Sequence, residues 1–198
     1  MRGEELTPWL VRYAYGQGAF PMTTEGEEIE WFLPRQRCLL PLEGIHVSSS
    51  LAKTIRKGTF EIRFDTSFEA VIRGCFRPDP DDNWLSEHFV RAYTQAHFEG
   101  WAHCVEAWHE GELVGGAYGV AIGTCFCAES MFHRRKDASK VALWALVNRC
   151  RELGFTIFDA QIINDHTRSL GAYEVPGRVY ARMLKEALKG TTPWSTEE

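Results

Sequence analysis

Several features that would narrow the class of this 198-residue chain are missing from it. The longest apolar run, Val141 to Val147, falls far short of the ~20 residues a membrane-spanning helix needs. The opening MRGEELTPWL has no basic stretch leading into an apolar one, so no signal peptide is expected. No two of the six cysteines (Cys38, Cys75, Cys104, Cys125, Cys127 and Cys150) form a Cys-x-x-Cys pair. No histidine spacing suggests zinc either, so reduced thiols in a cytoplasmic protein are expected. The Gly-x-Ser-x-Gly elbow is absent, and a hydrolase built on Ser130 would need a base that the sequence does not reveal. Positive charge is in deficit: 22 Lys and Arg face 27 Asp and Glu, for a net charge of −5. Coating of nucleic acid without sequence preference is therefore not expected, though a local basic patch remains open. Neither DNA nor a membrane is an expected partner.

What is present is a soluble-domain composition, 44% hydrophobic and 25% charged, with seven Trp, six Tyr and twelve Phe. That is enough aromatic surface for a core and for stacking on a flat ligand. Thr7-Pro8 is a hydroxyl cap followed by proline in the first turn, predicting a helix to Gln17 that Gly18 ends. Residues 1–36 otherwise read as a small irregular lobe, and residues 37–198 as the main domain. Short strands are predicted at Cys38–Leu40 and Phe60–Phe64, and helices at Ser48–Lys57, Ser67–Arg73 and Ser86–Glu99. A meander follows, His103–His109, Leu113–Ile122 and Thr124–Glu129, turning at Glu110-Gly111 and Gly123. Asp137 then caps a helix to Leu153 that is apolar around most of its girth and so buried. Phe155–Gln161 reads as a central strand and Val179–Lys189 as a closing helix. The expected class is α+β around one twisted mixed sheet, an order similar to the GNAT acyltransferase core.

More specific signals run in order along the chain. They include Gly18-Ala19-Phe20-Pro21-Met22, Trp31-Phe32-x-Pro34 with Arg37, and His46-Val47-Ser48. Ala102-His103-x-Val105-Glu106-x-Trp108 and Leu113-Val114-Gly115-Gly116-x-Tyr118-Gly119 follow. Then come Glu129-Ser130-Met131-Phe132, Asp137-Ala138-Ser139-Lys140-x-Ala142-Leu143, Asp159-Ala160-Gln161 and Asn164-Asp165-His166-x-x-Ser169-Leu170-Gly171-Ala172. Together, over about residues 5 to 180, they resemble the leucyl/phenylalanyl-tRNA–protein transferases. Ala160 departs from that pattern, where Cys is expected. The resemblance implies transfer of Leu, Phe and Met from aminoacyl-tRNA to the α-amine of proteins beginning with Arg or Lys, creating an N-terminal degradation signal. The ester is already activated, so it implies no cofactor: no ATP, metal or CoA.

Those needs can be set against the residues. Asp159 and Gln161 are two apart on a predicted strand, share a face and lie at its C-terminal end. An α-amine has a pKa of about 8, and a carboxylate beside an amide can take its proton and orient it. On that reading Asp159→Asn spares folding and lowers turnover; the plainer alternative is a loop cap. Glu129 suits an acceptor guanidinium, with a salt bridge to Arg134 or Arg135 as the alternative. Trp84, alone in the polar loop Asp81-Asp82-Asn83, is placed to stack on adenine or to staple the next helix. Met22 and Trp31 are expected to help hold the adenosine. Arg134, Arg135, Lys136 and Lys140 surround one acid at a helix N-terminus and are the expected tRNA contact. Phe126, Met131, Leu146 and Cys150 are the expected donor side-chain pocket. Phe126 and Glu129 can line one site only if the strand bulges between them.

Two other functions fit the same class. An acetyl-CoA-dependent N-acetyltransferase would carry a glycine-rich pyrophosphate loop before the long helix, but that place reads Phe132-His133-Arg134-Arg135-Lys136-Asp137-Ala138. A noncatalytic binder of charged tRNA would not need both Asp159 and Gln161.

Overall fold

The structure, a computed structural model, describes residues 6–23, 28–77, 79 and 84–194. A two-stranded hairpin, β1 (Phe20–Thr23) and β2 (Ile29–Phe32), follows helix α1 (Pro8–Gly16). Thr7 caps α1 through its hydroxyl, which accepts from the Leu10 N–H at 3.2 Å. The main sheet has seven strands in the order β4-β5-β6-β7-β8-β3-β9. These are β3 (Gln36–Leu39), β4 (Glu61–Phe64), β5 (Ala102–His109), β6 (Glu112–Ile122), β7 (Cys125–His133), β8 (Ile157–Gln161) and β9 (Tyr173–Pro176). Only β7 and β8 are parallel neighbours; every other pairing is antiparallel, so the sheet is mixed.

Each face of the sheet carries its own core, as strand alternation requires. On β6, Tyr118, Val120 and Ile122 join one cluster, while Ala117 and Ala121 join the other. The first is covered by α1, α3 (Phe68–Gly74), α4 (Glu87–Phe98) and α7 (Gly177–Ala187). The second is covered by α2 (Ser49–Arg56) and α5 (Ala138–Leu153). Gly115 lets α5 cross β6 closely, since a Cβ there would stand 2.7 Å from that of Ala138. Trp194 closes the second cluster from the chain's far end. It stacks on His103 with ring centroids 4.5 Å apart and donates its indole N–H to Asp65 at 2.9 Å.

The expected α+β class and its main elements are present, with four differences. β7 runs on to His133 rather than ending at Glu129, because pairing with β6 resumes beyond an irregularity at that residue. Asp137 does not cap α5 with its side chain; its φ is 67°, and its carboxylate accepts instead from the Thr54 hydroxyl at 3.0 Å. The lobe holds the β1–β2 hairpin rather than irregular chain only. Two short elements, α6 (Asp165–Ser169) and β9, have no counterpart in the sequence reading. All six cysteines are free and buried.

Candidate active site

The parallel pairing of β7 with β8 covers only Cys125–Cys127 against Ile157–Asp159. Past that point the strands part, and a cavity of about 1150 Å³ is lined by Ala128 to Met131 on one strand and Ala160 on the other. α5 contributes Ser139, Lys140 and Leu143, and Asn164 to Thr167 close another side.

β7 bulges within this wall. Tyr118 pairs with Ser130 and Gly119 with Ala128, which leaves Glu129 as the extra residue. Gly119 is required opposite it, since a Cβ there would collide with the Cys127 carbonyl and the Phe126 ring. The bulge holds Glu129 against groups on three other elements. Gln161 on β8 donates its side-chain N–H to the Glu129 carboxylate at 2.8 Å. The Tyr93 hydroxyl on α4 donates at 3.3 Å and in turn bonds the Tyr15 hydroxyl on α1 at 2.8 Å. Burial pushes the Glu129 carboxyl up to about 8; the Tyr15 hydroxyl works against the shift and the charge of Asp159 with it.

Asp159 occupies a different environment. It is fully buried and accepts from Arg37 through Nε at 2.8 Å and Nη2 at 2.6 Å, a bidentate pair. The Tyr180 hydroxyl of α7 donates to it at 2.5 Å, and the Gln161 backbone N–H at 2.8 Å. Arg37 spends its remaining reach on the Gly18 carbonyl at 2.9 Å. Its guanidinium lies 4.9 Å from the Phe20 ring centroid and 4.6 Å from that of Tyr180. Desolvation works to lower the Arg37 pKa, but the Asp159 carboxylate outweighs it and the net shift is upward. The consequence for Gln161 is direct: its φ is 60°, a left-handed conformation for a non-glycine residue, and the bond to Asp159 fixes that turn.

The expected site residues thus separate into groups. Glu129, Met131, Trp84, Arg134, Arg135, Lys136 and Lys140 all line the one cavity. Trp84 also packs edge-on against Phe89, ring centroids 5.3 Å apart, so the stacking and stapling readings share one side chain. Its neighbours Asp81, Asp82 and Asn83 lie outside the described residues. Arg134 is partly committed, donating to the Leu113 carbonyl at 3.1 Å. Glu129 bonds Tyr93 and Gln161 rather than Arg134 or Arg135. Met22 and Trp31 sit on the hairpin, packed against the first core and off the cavity wall. Phe126, Leu146 and Cys150 are fully buried in the second core, Phe126 beneath Trp194 at 5.8 Å between centroids. The bulge falls at Glu129 itself, pairing from Phe126 to Ala128 being regular, so Phe126 stays in the second core while Glu129 meets Tyr93 on the other face. The cavity's apolar wall is instead Leu40, Ala117, Ala128, Met131, Leu143 and Ala160.

Four residues escaped the sequence reading of the site: Tyr15, Tyr93, Arg37 and Tyr180. No local pattern marks Tyr15 or Tyr93 as site residues, and their separation of 78 positions hides the contact of their hydroxyls. Arg37 did stand out within a motif, and an arginine flanked by apolar strand residues was the available signal.

Comparison with known proteins bears directly on this arrangement. The sequence pattern described as leucyl/phenylalanyl-tRNA protein transferase matches residues 39–185, and that described as its N-terminal domain matches residues 4–35. The chain belongs to the leucyl/phenylalanyl-tRNA–protein transferase family. A family member from Herpetosiphon aurantiacus is 48% identical over 94% of this chain and 96% of its own length. Another from Rubrobacter xylanophilus is 46% identical over 93% and 96%. A third, from Novosphingobium aromaticivorans, is 43% identical over 98% of this chain and 74% of its own. Among solved structures, a ribosomal-protein-alanine N-acetyltransferase from Brucella melitensis aligns with a TM-score of 0.37 at 14% identity, covering 71% of this chain and 97% of its own. Both network carboxylates, Glu129 and Asp159, lie within the matched segment, residues 39–185. No helix among the described residues is long and apolar enough to cross a membrane.

Proposed function

We propose that this transferase moves Leu, Phe and Met from aminoacyl-tRNA to the α-amine of proteins whose first residue is Arg or Lys, marking them for degradation in the cytoplasm. The observation that carries this reading is the pairing, in one cavity, of a half-buried carboxylate with a basic rim. Glu129 is the acceptor-binding group. Unoccupied, its carboxyl holds a proton to about pH 8. An entering guanidinium or ammonium expels that proton and gains a charge-assisted partner.

Asp159 acts as a positioning residue rather than the base. Its oxygens are spoken for by Arg37, Tyr180 and the Gln161 N–H. Gln161 is what it positions. The Gln161 amide N–H points at Glu129, so its carbonyl oxygen is the end that can accept from an α-amine and aim the lone pair at the ester. As the C–N bond forms and the ester C–O bond breaks, the amine proton leaves with the departing ribose oxygen.

Trp84 stacks the terminal adenine, and Arg135, Lys136 and Lys140 take the phosphates behind it. Met131 and Leu143 are the donor side-chain contacts in place of Phe126, Leu146 and Cys150. Residues 1–36 form the small lobe, and its Met22 and Trp31 serve the core. Met131 is flexible enough for a branched or an aromatic donor side chain. A slot narrow at the β-carbon accepts Leu, Phe and Met but clashes with Ile and Val. Size alone separates such side chains by only about 1–3 kcal/mol, so the clash supplies the rest. The test is a competition among Leu-, Phe-, Met-, Ile- and Val-tRNA for one peptide offered with Arg, Lys or Ala first. Preference for the first three donors and for the two basic acceptors is expected. Equal use of Ile and Leu, or of Ala and Arg, contradicts the reading.

A further inference from the structure

Behind the cavity floor lie two thiols that the transfer chemistry does not use. Cys125 and Cys127 are two apart on β7, so their side chains leave the same face. Both are fully buried, and their sulfurs stand 3.7 Å apart. Across the parallel register Cys127 faces Asp159. A carboxylate oxygen of Asp159 lies within 4.8 Å of both sulfurs. Two thiolates on one tetrahedral divalent ion, each at about 2.3 Å, are roughly 3.8 Å from each other. The observed separation is already that of a bound pair. A disulfide is the poorer outcome: same-face neighbours on an extended strand keep their β-carbons roughly 6.6 Å apart, whereas the bond needs about 3.8 Å.

We infer that Cys125, Cys127 and Asp159 form a binding site for a thiophilic divalent cation of the zinc or cadmium type, and that filling it inhibits the enzyme. Loading breaks two S–H bonds, forms two metal–sulfur bonds and releases two protons. The two thiolates neutralise the ion, so the buried region gains no net charge and avoids the large penalty of an isolated one. Inhibition follows from the third ligand. An Asp159 oxygen that turns to the ion must release donors it now holds, among them the Gln161 N–H. Gln161 then loses the bond that sets its left-handed turn, and with it the grip on Glu129.

The binding half stands independently of the transfer reaction; only the inhibition half rests on the proposed function, and the experiment reads the two separately. The full chain is titrated with cadmium chloride while the ultraviolet thiolate-to-cadmium absorption, proton release and leucine transfer are followed. Expected are one ion per chain, two protons released, and transfer lost in proportion to the absorption and restored by a chelator. Cys125→Ala should transfer normally without metal, show no absorption and resist cadmium. Cys127→Ala should behave alike, which keeps the test intact if one variant folds poorly. Absence of the absorption with cadmium in excess overturns the site. So does absorption that persists unchanged in both variants. Full occupancy with undiminished transfer overturns the inhibition.

Discussion

Replacing Asp159 with Asn keeps the shape of the side chain and removes the charge facing Arg37. Arg37 then has a 2%-exposed side chain and, among the described residues, no other salt-bridge partner. An amide offers one accepting oxygen in place of two, and its NH2 would point at a guanidinium N–H. Removing one member of a buried ion pair costs about 3–5 kcal/mol, a large part of a total stability of about 5–15 kcal/mol. For a chain of this size, each 1 kcal/mol moves the melting temperature by about 2–4 °C, so a fall of roughly 6–20 °C is expected. Urea and thermal unfolding measure it directly. Strand position alone predicts that Asp159→Asn spares folding; the buried pair with Arg37 predicts that it does not. Turnover should fall too, through Gln161, while the pH–rate profile keeps the limb of the acceptor amine near about 8. A double change, Arg37→Met with Asp159→Leu, should recover much of the lost stability, since apolar replacements of a buried pair are often neutral. It should not recover turnover. A wild-type melting curve for Asp159→Asn combined with turnover lower by about 100-fold or more would refute this account and make Asp159 the proton acceptor.

Glu129→Gln should weaken Arg- and Lys-starting acceptors while leaving the aminoacyl donor's affinity almost unchanged. Because burial raises the Glu129 carboxyl to about 8, the folded chain retains a proton that the unfolded chain loses above its ordinary value. Stability of the free protein therefore falls as pH rises through that window, and Glu129→Gln should gain on the wild type at pH 9 relative to pH 5 in denaturant titrations. Arg135→Ala with Lys136→Ala should weaken full-length Leu-tRNA more than a minimal aminoacyl adenosine and flatten the salt dependence of binding; an unchanged slope returns these residues to plain surface. Leu143→Phe should narrow the apolar wall and penalise Phe transfer more than Leu transfer in single-turnover assays, whereas an equal penalty would place the donor side chain elsewhere.

Local pattern carried most of the fold. The hydroxyl cap at Thr7, the alternation on β5 and the girdle of apolar residues on α5 each announce an element through short-range chemistry. The β1–β2 hairpin is harder to see because its strands are four residues each and one contains Pro21, which ordinarily argues against a strand. β7 was cut short because the bulge breaks the period of two at the residue that matters most, Glu129. The same long-range effects governed the site. Glu129, Gln161 and the basic residues stand out as candidates from residue type and motif. The partners that decide what each does do not, since Arg37 and Asp159 meet across 122 residues and Tyr180 arrives from the closing helix. Strand parity puts Asp159 and Gln161 on one strand end but cannot reveal that Arg37 already pairs with the Asp159 carboxylate. Helix spacing groups Leu146 with Cys150, but cannot show that both are enclosed in the second core.

The most direct test of the central claim uses one tube: purified protein, Leu-tRNA and a peptide beginning with Arg, with no ATP, metal or CoA added. Mass spectrometry should find the peptide heavier by one leucine residue, attached at its α-amine. A peptide of unchanged mass alongside intact Leu-tRNA, or Leu-tRNA hydrolysed with no peptide product, would contradict it.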